Sequence, residues 1–197
     1  MKAILLTLLL CLWALSAWAL PLDPDDDGIG VYFDPCACVN CLTLEEGIHT
    51  AYLVITHPTS PEGVGGFEAT VWTEGPMSIL GWTFMGDVIN VGTKPNEIIL
   101  GVAQPLVNPY TYPAVVVGYT DVLVSDTAMP AFFFIDGIYF HSLPDKQPAY
   151  LDGSDYDIIK KLQQSTGGAE YPVATINGEC AVAVENVTLD KVKSLYR

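Results

Sequence analysis

The sequence predicts an all-β chain: an antiparallel β-sandwich of the Ig-like, jelly-roll or cohesin-like kind, closed by a short C-terminal helix. Three observations predict it. Apolar and β-branched runs of strand length recur every ~8–12 residues, with Gly, Pro, Asn and Asp clusters punctuating them. The long runs lack the 3.6-residue period of an amphipathic helix. Half of the 197 residues are hydrophobic, with no repeat or low-complexity linker between them, so the chain reads as one domain around one core.

The elements follow in order. Residues 1–19 combine Lys2, a long apolar run and Ala17-Trp18-Ala19, the layout of a signal peptide cleaved after Ala19. The run from Ala3 to Trp18 is shorter than the ~20 residues of a spanning helix, so no membrane anchor is expected. The expected product is a secreted, periplasmic or extracellular chain of residues 20–197. The whole chain carries 23 Asp and Glu against 8 Lys and Arg, a net charge of −15, and loss of Lys2 with the signal peptide brings that to −16. Nucleic acid is excluded as a partner, because phosphate recognition needs clustered Lys and Arg. Carboxylates remain to spare for cations.

The opening of that chain, "LDPDDDGIGVYFDPCACVNC", carries two candidate chemistries. Asp23, Asp25, Asp27 and Gly28, followed by Asp34, match positions of a twelve-residue calcium loop, where clustered oxygens suit a hard cation. "IGVYF" reads as a strand, however. At ~3.3 Å per residue it carries Asp34 roughly 20 Å from Gly28, too far to share an ion. Residues 20–28 are therefore expected to be a solvated acidic leader entering the first strand.

Four cysteines follow the leader: Cys36, Cys38, Cys41 and Cys180. Export favours disulfides over a four-thiolate zinc site, and the C-x-C spacing is unusual for a zinc knuckle. The expected pairing is Cys41 with Cys180, leaving Cys36 and Cys38 as a strained short pair or as thiols.

"TAYLVITH" (Thr50 to His57) is almost continuously apolar and predicts a strand buried on both faces, and "SPEGVGG" predicts a loop. "FEATVWTE" alternates. Phe67, Ala69 and Val71 take an apolar face, and Glu68, Thr70, Trp72 and Glu74 take the other. Strands are expected at "SILGWTFM", "DVINVG", "EIILGVAQ", "AVVVGYTDVLVSD" and "AFFFIDGIYFH". Tyr156 to Ser165 suits a short helix or an edge strand. Over 188–197 a helix is expected, with Thr188 as its cap, Asp190 in its first turn and Lys193 and Arg197 at its negative end.

The segments "GIGVYFD", "AYLVITHP", "NEIILGVAQPL", "DVLVSDTAMPAFFFI" and the closing "VTLDKVKSLYR" resemble a family of small secreted proteins from environmental bacteria that share a VKSLYR-like tail. The resemblance implies a secreted β-rich domain and brings no activity with it. "GGFEATV" followed by "VVVGYTDVLV" is also similar to cohesin-type sandwiches, at the level of fold.

No catalytic residue is assigned. The chain lacks a G-x-S-x-G elbow, and His49, His57 and His141 lack the spacing of a zinc helix. The reading is therefore a non-catalytic secreted module for structure or extracellular protein contact. The alternative is a carbohydrate-binding module that stacks sugars on Trp72, Trp82, Tyr110 and Tyr112, with Tyr119 nearby; core packing is the competing role of these rings.

Overall fold

β-Branched and aromatic residues favour a pleated, half-buried surface, and the longest such runs form the spine of the molecule. The computed structural model of the chain describes residues 21–107 and 113–180. Residues 1–19, Tyr110, Tyr112 and the helix expected over 188–197 lie outside the described residues.

The strands, in order, are β1 (Gly28–Tyr32), β2 (Cys41–Leu42), β3 (Gly47–Thr56), β4 (Val64–Glu74), β5 (Met77–Phe84) and β6 (Val88–Asn90). They continue as β7 (Glu97–Leu106), β8 (Ala114–Val124), β9 (Ala131–Asp136), β10 (Ala149–Asp152), β11 (Ile159–Lys161), β12 (Gln163–Gln164) and β13 (Ala174–Ile176). The first sheet runs β12-β1-β3-β8-β5. The second runs β11-β10-β4-β9-β13-β2, with β7 on the other edge of β4 and β6 beyond it.

The alternation read from "FEATVWTE" fixes how the sheets face each other. Phe67, Ala69 and Val71 of β4 point inward with Phe133 and Ile135 of β9. They meet Ala51, Leu53 and Ile55 of β3 and Val115, Val117 and Val122 of β8, all buried. Each fully buried aliphatic or aromatic side chain is worth ~1.5–3 kcal/mol over exposure, so this layer is the main source of stability.

Two expectations are corrected and one pair of alternatives is decided. The sheets are mixed rather than purely antiparallel, because β1 pairs with β12 and β2 with β13 in parallel. Both pairs lie at sheet margins and join segments more than a hundred residues apart, a separation at which local pattern carries no pairing information. Tyr156 to Ser165 takes the edge-strand alternative, as β11 pairs with β10 and β12 with β1. Finally, the expected loop "SPEGVGG" is strand from Val64 onward. There Gly66 adopts φ 155° and a Cβ would press on the Leu100 carbonyl, so glycine lets β7 approach β4. Among the described residues there is no helix, and none is long and apolar enough to cross a membrane.

Candidate functional site

The acidic leader is only partly solvated: Leu22, Pro24 and Asp26 are exposed, but Asp23 is not. Asp23 is only 3 % exposed, accepting hydrogen bonds from Asp25 N–H at 3.1 Å and Thr56 Oγ1 at 3.2 Å. Room for it comes from Gly28: a Cβ there would run into the Asp23 carboxylate. The glycine that the calcium pattern needed for a turn instead sits in β1 and makes space for a buried acid.

Asp27 is held just as firmly. It accepts from Thr59 N–H and Oγ1, both at 2.7 Å, and from the Tyr150 hydroxyl. Burial first, then the bond to Asp27, push the Tyr150 phenol above its ordinary range. The network continues through Ser60 to Asp152, whose carboxylate also accepts from Ser154 and faces Lys160 Nζ at 3.3 Å. Those contacts, the Ser154 bonds foremost, hold Asp152 below the usual carboxylate range. With these bonds the leader, the turn after β3 and the β10–β11 hairpin are locked together. Replacing Tyr150→Phe removes Asp27's phenolic donor and leaves Ser60 N–H without its acceptor. We expect a loss of about 1–2 kcal/mol in urea unfolding; an unchanged midpoint would mean that the network adds no stability.

Asp23, Asp25 and Asp27 precede β1 and Asp34 follows it, so the structure does not gather the four calcium candidates. The strand between them is the reason.

Beyond β1 the chain folds back over the outer face of the first sheet. Ala37, in a left-handed conformation (φ 55°), is fully buried in a small second core with Tyr32, Val54 and Ala114. This cover explains why "TAYLVITH" is apolar on both faces. In the same turn Asp34 Oδ1 accepts from Cys38 N–H at 2.8 Å and Val39 N–H at 3.2 Å, while Cys36 Sγ donates to Oδ2 at 3.1 Å. Cys38 Sγ donates to the Cys36 carbonyl at 3.3 Å. Cys41 and Cys180 are joined by a disulfide, and Cys36 and Cys38 are not. The expected short pair is thus corrected to two thiols, because the turn aims one at Asp34 and the other at a carbonyl. Desolvation, then the hydrogen bonds with Cys38 and Asp34, push the Cys36 thiol up to about 12.

The aromatic candidates are dispersed. Trp72 lies on the outer face of the second sheet, half-buried and stacked on Phe134 at 5.4 Å. Trp82 belongs to the first sheet and packs with Phe84 against the core at 6.4 Å. They cannot share one sugar platform. Glu68 shares the face of Trp72 as alternation requires, yet it is buried, accepting from Ser142 N–H and Oγ at 2.7 Å.

A different surface emerges on the uncovered half of the first sheet. Cross-strand pairs of β3 and β8 place Ile48 beside Leu123, Thr50 beside Asp121 and, at the border where Tyr52 packs against the small second core, Tyr52 beside Tyr119. Ile48 is 63 % exposed, Leu123 39 % and Tyr119 38 %. Thr50 Oγ1 bonds Asp121 at 3.4 Å, and the two tyrosine rings lie 6.4 Å apart. Sequence reasoning named only Tyr119 here as a binding candidate. The alternation of "YTDVL" could have shown that Tyr119, Asp121 and Leu123 share one face, while their β3 partners follow only from strand pairing.

No protein-family model matches the chain, and no curated protein matches it. Among solved structures, it is similar to the sixth cohesin of scaffoldin B from Acetivibrio cellulolyticus, which was crystallised with a Cel5 dockerin mutant. That likeness has 8 % identity and TM-score 0.51, covering 79 % of this chain and 100 % of that one. A type II cohesin domain from the cellulosome of Acetivibrio cellulolyticus aligns with TM-score 0.45 and 11 % identity over 86 % of this chain and 99 % of that one. The first likeness, together with the two facing sheets, gives the chain the β-sandwich fold of cohesin domains.

Proposed function

We propose that this protein is a secreted, non-catalytic contact module that presents the open half of its first sheet to a partner protein. The observation that carries this reading is the Ile48/Leu123, Thr50/Asp121 and Tyr52/Tyr119 ladder, an apolar and tyrosine-bearing surface on central strands. Contiguous apolar surface of this kind marks interaction sites, and tyrosine is favoured at their centres. The cohesin-like fold, seen with a dockerin in one solved neighbour, adds support for a protein as the partner. Asp121 in the middle of the ladder, on a chain of net charge −15, favours a partner whose contact face is basic around an apolar ridge.

Cross-linking the secreted protein in its native culture fluid, then measuring affinity for the recovered partner, tests this. Ile48→Asp and Leu123→Asp are each expected to weaken binding at least tenfold, the scale of a hot-spot loss. Asp121→Lys should slow association most strongly at low salt. Affinity unmoved by all three variants would refute the assignment of this face. Glycan binding that survives them and vanishes in Trp72→Ala would favour the carbohydrate alternative.

A further inference from the structure

Two thiols and a carboxylate that neither the disulfide nor the contact face uses lie together in the turn after β1. Asp34, Cys36 and Cys38 each offer one donor atom, and these atoms all lie within 4.8 Å of one another. Bonds of 2.0–2.3 Å in tetrahedral geometry place neighbouring donors roughly 3.3–3.8 Å apart, so side-chain rotation alone could close the set on one ion. The turn is built to hold that arrangement. Ala37 between the two cysteines is left-handed, a conformation disfavoured for a non-glycine residue, and its burial against Tyr32, Val54 and Ala114 fixes it. Two backbone N–H groups anchor Asp34 Oδ1, and Oδ2 is turned toward Cys36 Sγ. Outer bonds of this kind orient metal ligands. All three side chains are half-buried, open enough to solvent for an ion to enter and for water to complete its coordination.

We infer that Asp34, Cys36 and Cys38 bind one zinc ion, as a two-thiolate, one-carboxylate site with its fourth position left to water. Soft thiolates favour zinc over calcium or magnesium, which prefer oxygen. Binding replaces the two thiol protons, which pass to solvent, and involves no redox step. The four-thiolate alternative is unavailable, because Cys41 and Cys180 are consumed by their disulfide. The ion would clip the turn that packs Ala37 over Tyr32, Val54 and Ala114.

Cobalt(II) serves as the spectroscopic probe. Added without oxygen to purified protein whose Cys41–Cys180 bridge is intact, one equivalent should give a thiolate-to-cobalt charge-transfer band and the intense visible bands of a tetrahedral site. One equivalent of zinc should displace it. Cys36→Ser and Cys38→Ser should each diminish the charge-transfer band and the double variant abolish it. Asp34→Asn keeps an oxygen for the two N–H groups, and should retain the band while weakening cobalt at least tenfold. A wild-type protein silent to cobalt would overturn the proposal without recourse to any variant. So would a band that persists in the double variant, or a Cys36–Cys38 disulfide in the peptide map of the secreted protein.

Discussion

Replacing Cys41 and Cys180 together by serine is expected to lower stability by about 5 kcal/mol. The bridge spans 139 residues, and the chain-entropy model assigns a closed loop of that size a denatured-state constraint of about that amount. Its position adds a reason. Cys41 lies in β2, a two-residue margin strand held to β13 by a short parallel pairing, and Cys180 lies just beyond β13. Among the described residues the bridge reinforces a margin otherwise held by a few hydrogen bonds, from Thr175 N–H to the Asn40 carbonyl, from Asn177 N–H to the Leu42 carbonyl and from Leu44 N–H to Asn177 Oδ1. For a chain of this length each kcal/mol moves the melting temperature by ~2–4 °C, so the double variant should melt roughly 10–20 °C lower. Reduction of the wild-type protein should reproduce the shift. A variant that melts within about two degrees of the parent would show that the edge holds without the covalent link.

The second large effect concerns Asp23, and its sign runs against intuition for an acid. Burial, reinforced by the charge of Asp25, raises its carboxyl from 3.8 to about 6, while the bonds from Asp25 N–H and Thr56 and the nearby His57 oppose the rise. The native state therefore keeps a proton that the unfolded chain releases near 3.8. This contribution is fully present below about pH 4, declines as pH rises toward 6, and is gone above it. At ~1.4 kcal/mol per pH unit, ionising Asp23 in its buried site costs about 2–3 kcal/mol at neutral pH. Asp23→Asn keeps the shape and an acceptor oxygen without the charge. It should be more stable than the parent by about that amount at about pH 7.5, with the difference fading by about pH 4. Urea unfolding at the two pH values reads this directly. Equal stability of variant and parent at both would mean that Asp23 ionises as an exposed carboxylate does.

Asp23 also marks where the sequence was silent. A run of aspartates beside prolines reads as solvated, because carboxylates are costly to bury. What buries one here is the space left by the missing Cβ of Gly28 at the start of β1, together with the Thr56 hydroxyl more than thirty residues away. Glu68 follows the same logic. Alternation placed it on the outer face correctly, and only the return of Ser142 across that face revealed that it is covered.

The sequence by itself determined the all-β class, the main strands, and which face of "FEATVWTE" enters the core. All of these follow from side-chain periodicity within a few residues, which the pleat converts directly into inside and outside. Tertiary structure alone decided the parallel pairings of β12 and β13, the anchoring of the leader through Asp27 and Tyr150, and the closing of Asp34 on Cys36 and Cys38. It also decided that Trp72 and Trp82 part company on separate sheets while Ile48, Tyr52, Tyr119 and Leu123 converge. Strand neighbours are chosen by the whole sheet's burial rather than by any one strand's pattern. A contact between residues a hundred positions apart therefore leaves little trace in either local segment.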